Sequence, residues 1–308
     1  MLSVVIPVGG GAPRLRCTLT CLAAALHAES AAAEIIVVSD GAPAEIRECV
    51  ETCGQQTRAE FQIIEIAHTG RSAARNAGAL QARGNRLLFV DSDILVEKEV
   101  IRFHSGLGPD AARLIYRGTI AHLPWLAAFE DPMTGEFTAE ALRSLRIPAS
   151  NSCLLSSRTL SLEVLKNPAV LRTMARSPRF QRHLQQWFHD NPTDISSSWI
   201  GCTGGQISVD RRVFDQLGGF DEKMGLRWGA EDLEFGYRAA QSGIAIRYAE
   251  NSRCYHLDHA VSGRAGDHAQ ALEYFAEKHG NQGVLRLLDY FNDMCNLSEA
   301  MEACHAPA

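Results

Sequence analysis

Two aspartates one residue apart, Asp91-Ser92-Asp93, stand directly behind the apolar run Leu87 to Val90. Successive side chains of an extended chain turn to opposite faces, so one carboxylate can meet a metal while the other turns towards ribose. Hard oxygen ligands of this kind suit Mg2+ or Mn2+ bridging a diphosphate. The same tripeptide also opens loops, and that plainer reading stands beside the first. Asp40-Gly41 closes a second apolar run, where a carboxylate can accept from the imide of uracil; an ordinary Asp-Gly turn explains it equally. Gly70-Arg71-Ser72 with Arg75-Asn76 opens a helix and offers backbone donors and guanidinium charge to a phosphate or base. Further on, Gly204-Gly205 precedes an apolar strand pattern, and Trp228-Gly229-Ala230-Glu231-Asp232 ends in two carboxylates at a helix start. Adjacent acids there can point in different directions and take separate tasks, Glu231 a sugar hydroxyl and Asp232 a proton, although simple capping by Asp232 is the alternative.

These residues need a scaffold that brings strand ends together. The first hundred residues alternate apolar runs with helical patterns, as a parallel sheet flanked by helices requires. Strands are expected at Leu2 to Val8, Glu34 to Ser39, Phe61 to Ile66 and Arg86 to Val90, with helices at Leu15 to Leu26, Ala44 to Thr52 and Ser72 to Ala82. Open α/β sheets bind ligands at the carboxyl ends of such strands. Beyond Asp93 a strand is expected at Leu114 to Arg117, then broken helices from Ser157 to Asp190 interrupted by Pro168 and Pro178. A strand at Gln206 to Val209, helices at Arg211 to Leu217 and Glu231 to Ser242, and a strand at Ile244 to Tyr248 follow. Two helical patterns fill Asp267 to Asn296, and the last dozen residues are expected to fray. Trp125, Phe129, Trp187 and Trp199 suit a wall that stacks against an acceptor, with core packing as the alternative.

The 308 residues carry a net charge of -6, which argues against a basic nucleic-acid-binding surface. Nine cysteines lack paired metal-site spacing and read as free thiols. No apolar run reaches the roughly eighteen residues that would cross a bilayer, and the opening lacks the pattern of a signal peptide. A cytoplasmic location is expected, with peripheral contact to a membrane left open.

The order of these motifs resembles family 2 glycosyltransferases of GT-A fold. The resemblance covers Leu2 to Asp93 and Trp199 to about His259, and includes Ala74-Arg75-Asn76-Ala77-Gly78. It is especially close to the subgroup sharing a Trp-Gly-Gly-Glu-Asp/Asn element with beta-galactosyltransferases, chondroitin-type polymerases and polypeptide N-acetylgalactosaminyltransferases. It implies an α/β fold with a Rossmann-like nucleotide-binding half over residues 1–122, an acceptor-binding and catalytic half over 123–266, and a helical extension over 267–308. It further implies that Pro7, Val8, Asp40, Arg71, Arg75, Asn76, Asp91, Ser92, Asp93, Gly205, Trp228 and Gly229 hold a UDP-sugar. Asp93, Asp91 and His256 would bind Mn2+ or Mg2+, with His259 competing for the histidine position. Asp232 would be the general base of an inverting transfer, assisted by Glu231, onto a hydroxyl of a glycan, lipid, peptide or small molecule. Two departures stand out: Val8-Gly9-Gly10-Gly11 lacks a base-stacking side chain, and Ala230 replaces a glycine. A nucleotidyltransferase fits less well, because Gly9-Gly10-Gly11 lacks basic residues. A non-catalytic nucleotide-sugar-binding protein of the same fold is the other competing reading.

Overall fold

The computed structural model describes residues 1–42, 44–55, 59–139, 141, 159–259 and 264–305. The first half runs β1 (Leu2–Val8), α1 (Ala12–Glu29), β2 (Ala33–Asp40), α2 (Glu45–Gln55), β3 (Glu60–Ile66), α3 (Arg71–Gln81), β4 (Arg86–Val90), β5 (Ile94–Val96), α4 (Lys98–Ser105) and β6 (Leu114–His122). A two-stranded ribbon of β7 (Phe129–Asp131) and β8 (Glu136–Phe137) is followed by α5 (Leu162–Leu165), α6 (Pro168–Met174) and α7 (Arg179–Asp190). Then come β9 (Gln206–Asp210), α8 (Arg211–Gln216), α9 (Glu231–Gln241), β10 (Ala245–His256), α10 (Arg264–His279), α11 (Arg286–Phe291) and α12 (Leu297–His305).

Eight strands form one sheet in the order β3-β2-β1-β4-β9-β6-β10-β5. Strands β3, β2, β1 and β4 are parallel, β9 is antiparallel to both β4 and β6, and β10 runs parallel to β6. The carboxyl ends of β1, β2, β4, β6 and β10 therefore share one edge with the amino end of β9. Every strand of the central region is buried on both faces, which explains its continuous Val, Ile and Leu runs. The twelve-residue β10 is longer than its apolar pattern suggested because a register shift lies between Ala249 and Arg253. Gly118 makes room for it: a Cβ there would lie 1.9 Å from the Ser252 carbonyl oxygen.

Several expectations are corrected. β5 and α4 lie where no element was expected, since an apolar three-residue strand and a short helix carry little periodic signal. The chain end does not fray before residue 305: α12 buries Leu297, Ala300, Met301 and Cys304. Trp199 and Phe129 are core residues, 1% and 0% exposed, while Trp187 and Trp125 pack against core clusters; none of the four lines the cleft described below. The helices of the 159–190 stretch break where expected, with Pro168 opening α6 and Pro178 capping α7. Within this stretch Arg172 pairs with Glu97 and Arg179 with Asp293. The cysteines of the described residues are unbridged.

Candidate active site

The shared strand edge opens into a cleft of about 1080 Å³. At one end stand Pro7 and Val8 from β1, Asp40 from β2 and Arg71 from α3; at the centre are Asp91, Ser92 and Asp93 after β4, Gly205 before β9, and Trp228, Gly229 and Asp232 before or within α9. His122, His256 and His259 also line the cleft, as do Thr138, Phe180, Gln181, His268 and Phe291. Arg75, Asn76 and Glu231, expected to touch ligand, stand behind this wall instead.

Their partners explain the displacement. Asn76 is consumed by the turn before α9: its amide donates to the Phe220 carbonyl at 2.9 Å and accepts from the Phe220 N–H at 2.9 Å. Arg75, 2% exposed, donates to Asp91 and to Glu231, each at 2.9 Å. Arg71 adds a second cation to Glu231 at 3.2 Å and lies 5.5 Å from the Trp228 ring centre. Asp40 takes up the loop before α3, accepting from the backbone N–H of Thr69 at 2.7 Å and of Gly70 at 2.9 Å. Gly70 must be glycine, since it has φ 104° and a Cβ would meet the Gly225 carbonyl oxygen at 2.0 Å.

The two adjacent acids of α9 ionise in opposite directions. Burial alone would raise Glu231, but the charges of Arg71 and Arg75 bring its carboxyl down to about 2. Asp232 is raised to about 7, by burial first and by the Glu231 charge second, with Arg75 and the Leu233 N–H only partly offsetting them. Its Oδ1 accepts from the Leu233 N–H at 2.8 Å. Its Oδ2 is the atom nearest to where a side chain at Gly204 would project, ahead of Asp91, so glycine keeps the space between these carboxylates clear. Glu231 Oε2 is buried without a hydrogen-bond partner.

A separate cluster forms on the other flank. Asp93 Oδ2 lies 3.4 Å from His256 Nε2 and 3.1 Å from His259 Nε2. Two ligands of an octahedral ion, each about 2.1 Å from it, stand about 3 Å apart, so these separations fit a divalent cation without rearrangement. Burial would raise Asp93, yet the two histidines hold it well below the usual carboxylate range. Burial would likewise lower His256, but Asp258 and Asp93 lift it to about 10, so the imidazolium supplies the positive charge beside Asp93. Asp91 is outside this cluster, being held by Arg75. His122, Asp258 and His268 were missed in the sequence. For Asp258 a signal existed, because His256-Leu257-Asp258 spacing puts both side chains on one side of an extended chain; His122 and His268 carried none.

Residues 3–103 match the model for glycosyl transferase family 2, and residues 188–260 match that for the N-terminal domain of galactosyltransferase. The first of these stretches, β1 to α4, is thus similar to glycosyltransferase family 2. It is similar to validoxylamine A glucosyltransferase of Streptomyces hygroscopicus subsp. jinggangensis, with 26% identity over 82% of this chain and 54% of that protein. The chain spans about half the length of the first curated relatives it matches. Its fold is GT-A. The mannosyltransferase PcManGT from Pyrobaculum calidifontis, solved with GDP-Man and Mn2+, aligns at a TM-score of 0.55 and 13% identity over 98% of this chain and 72% of that one. GalNAc-T7, solved with UDP, GalNAc and Mn2+, aligns at 0.55 and 15% identity over 98% of this chain and 54% of that one.

Proposed function

We propose that this chain is a metal-dependent inverting glycosyltransferase that moves a sugar from a UDP-sugar to a hydroxyl acceptor. The observation that carries the reading is Asp232: a buried carboxyl raised to about 7, on the cleft wall, at a helix start beside Asp91. A base with that pKa is half ionised near neutrality, which general-base catalysis favours. Arg75 and Arg71 keep Glu231 ionised behind the wall, and the Glu231 charge in turn helps to hold Asp232 up. Asp93, His256 and His259 would hold a divalent cation, whose chemistry is neutralisation of the charge that develops on the leaving diphosphate. Arg71, on the cleft wall, adds a guanidinium to the same task. The UDP and Mn2+ bound to GalNAc-T7 support this donor and ion. The nucleotide end of the cleft is open: a Cβ at Gly9 or Gly10 would meet nothing within 4 Å, so the base is held without a stacking side chain there.

The test is a panel of UDP- and GDP-sugars incubated with Mn2+ or Mg2+, products followed by mass spectrometry and NMR. A UDP-sugar is expected to be turned over with inversion at the anomeric carbon. Turnover of GDP-sugars alone, retention of configuration, or full rate in chelator each contradicts the corresponding part of the reading.

A further inference from the structure

His122, the last residue of β6, and Asp258, just past β10, take no part in the reaction proposed above. They are nonetheless bound tightly to it. One oxygen, Asp258 Oδ1, accepts from His256 Nδ1–H at 2.6 Å and from His122 Nδ1–H at 2.8 Å. The two rings lie 4.8 Å apart with planes 31° from one another. The backbone fixes this arrangement, because His122 and His256 are partners in the parallel β6–β10 register. The Leu123 N–H donates to the His256 carbonyl at 3.0 Å, and the Leu257 N–H to the Asp93 carbonyl at 2.8 Å.

We propose that Asp258 is a positioning residue for the cation site, holding the His256 ring through Nδ1–H so that Nε2 stays turned towards Asp93, 3.4 Å away. A cation at that site would take the place of the Nε2 proton, and a ring that keeps its Nδ1–H on a carboxylate then offers its lone pair from Nε2. His122 donates to the same oxygen and keeps the carboxylate from swinging away. This rests on the reading of Asp93, His256 and His259 as the cation site. His122, His256 and Asp258 also lie close enough together to be considered as ligands. Their separations of 2.6 and 2.8 Å are hydrogen-bond lengths, shorter than the ~3 Å between neighbouring ligands of one ion. The ion therefore belongs on the Nε2 side of His256, and Asp258 acts through the ring rather than on the metal. Carboxylates in this relation to a ligating histidine are worth roughly 10–100-fold in metal affinity.

The full chain is titrated with Mn2+ in the absence of nucleotide, free ion being read by electron paramagnetic resonance, and with Co2+, read by its visible d–d bands. Wild type is expected to bind, and His259→Ala to lose binding. Asp258→Ala should weaken Mn2+ by roughly 10–100-fold and shift the Co2+ bands, while the melting temperature of the metal-free protein stays close to wild type. Asp258→Asn, nearly the same size, should move both readouts in the same direction and serves where the alanine variant folds poorly. His122→Ala should weaken binding less than Asp258→Ala. Unchanged affinity and unchanged Co2+ bands in both Asp258 variants would overturn the positioning role with the cation site intact. Loss of binding in His122→Ala equal to that in His259→Ala would overturn it by moving the ion among His122, His256 and Asp258. A wild-type chain that binds no Mn2+ would remove the cation site and this inference together.

Discussion

Asp232 and Glu231 are consecutive, share one helix terminus, and are driven apart in acidity by what surrounds them. Both are buried, but the guanidinium groups of Arg71 and Arg75 reach Glu231, and Asp232 is left to face burial and the Glu231 charge. Replacing Asp232 by Asn keeps size and the bond from the Leu233 N–H while removing basicity. Turnover is expected to fall by roughly two to four orders of magnitude, with UDP affinity by calorimetry within a few-fold of wild type. In the wild type kcat/KM should rise with pH through about 7, because the deprotonated form is the base. Stability runs the other way. A carboxyl whose pKa is raised by folding favours the folded state at low pH and costs stability as pH climbs through 7. Asp232→Asn should therefore melt above wild type at pH 8, with the gap closing towards pH 4. A flat pH–rate profile or an unaltered melting gap would remove the assignment of that pKa to Asp232. On the metal flank, Asp93→Ala should reduce UDP affinity as much as chelator does to wild type, and chelator should then have no further effect; equal UDP binding with and without Mn2+ would contradict it. Asp93 and Asp232 could be picked out in the sequence because one follows an apolar strand run and the other opens a helix; His256 and His259 came from the family resemblance alone. The roles of Asn76 and Arg75 were not, because a side chain that holds a turn and one that holds a ligand have the same type and the same motif.

At the scale of elements, the sheet edge collects the site only if α3 lies close against β1 and β2. Gly78, in the middle of α3, allows that approach: a Cβ there would stand 2.4 Å from Val5 Cγ1 and 3.0 Å from Val38 Cγ2. Neither valine can yield easily, since both are fully buried and stiff at χ1. Gly78→Ala is expected to destabilise by about 1–3 kcal/mol through overpacking, despite alanine's better helix propensity. It should also lower turnover, because α3 carries Arg71 and Arg75. Gly9→Ala is the control, as its Cβ enters open space. Equal urea midpoints for the two variants would show that α3 has more room than this packing gives it. The strands β1 to β4 were readable to within a residue or so: β1, β2 and β4 are buried parallel strands that write themselves as apolar runs, and the half-buried edge strand β3 keeps Phe61, Ile63, Ile64 and Ile66 among polar residues. The far half of β10 was not: Glu250, Asn251 and Ser252 carry no apolar pattern and lie where the register with β6 shifts, and Arg253 to His256 rejoin the ladder beyond them.

At the scale of the whole molecule, the chain end packs into the same body as the sheet that carries the cleft. Ala271, Leu272 and Phe275 of α10, Leu287 and Tyr290 of α11, and Leu297, Ala300 and Met301 of α12 belong to the same hydrophobic cluster as Val5, Phe89 and Phe235. The ring of Phe275 lies 5.8 Å from that of Trp199 and 5.2 Å from that of Tyr237. The extension also reaches the cleft, where His268 stands edge-on to Trp228 at 5.5 Å and 5.1 Å from Phe291. Gly229 accommodates it, since a Cβ there would lie 2.7 Å from His268 Cδ2. No helix among the described residues is long and apolar enough to cross a membrane. A chain ending at residue 263 would lose these helices and expose the core side chains they cover, Trp199 and Tyr237 among them, and each apolar side chain is worth roughly 1.5–3 kcal/mol when fully buried. Total stabilities of domains are only about 5–15 kcal/mol, so the shortened chain is expected to lose its cooperative melt and bind a hydrophobic dye. His268→Ala separates the two contributions of the extension, because it removes a cleft-lining ring that lacks a hydrogen-bond partner among the described residues and leaves the aromatic and aliphatic core in place. That variant should melt near wild type and raise the KM for a substrate more than it lowers kcat. A shortened chain that melts cooperatively within a few degrees of wild type would make residues 264–305 an appended unit; a His268→Ala enzyme with unchanged KM values would confine the extension to packing.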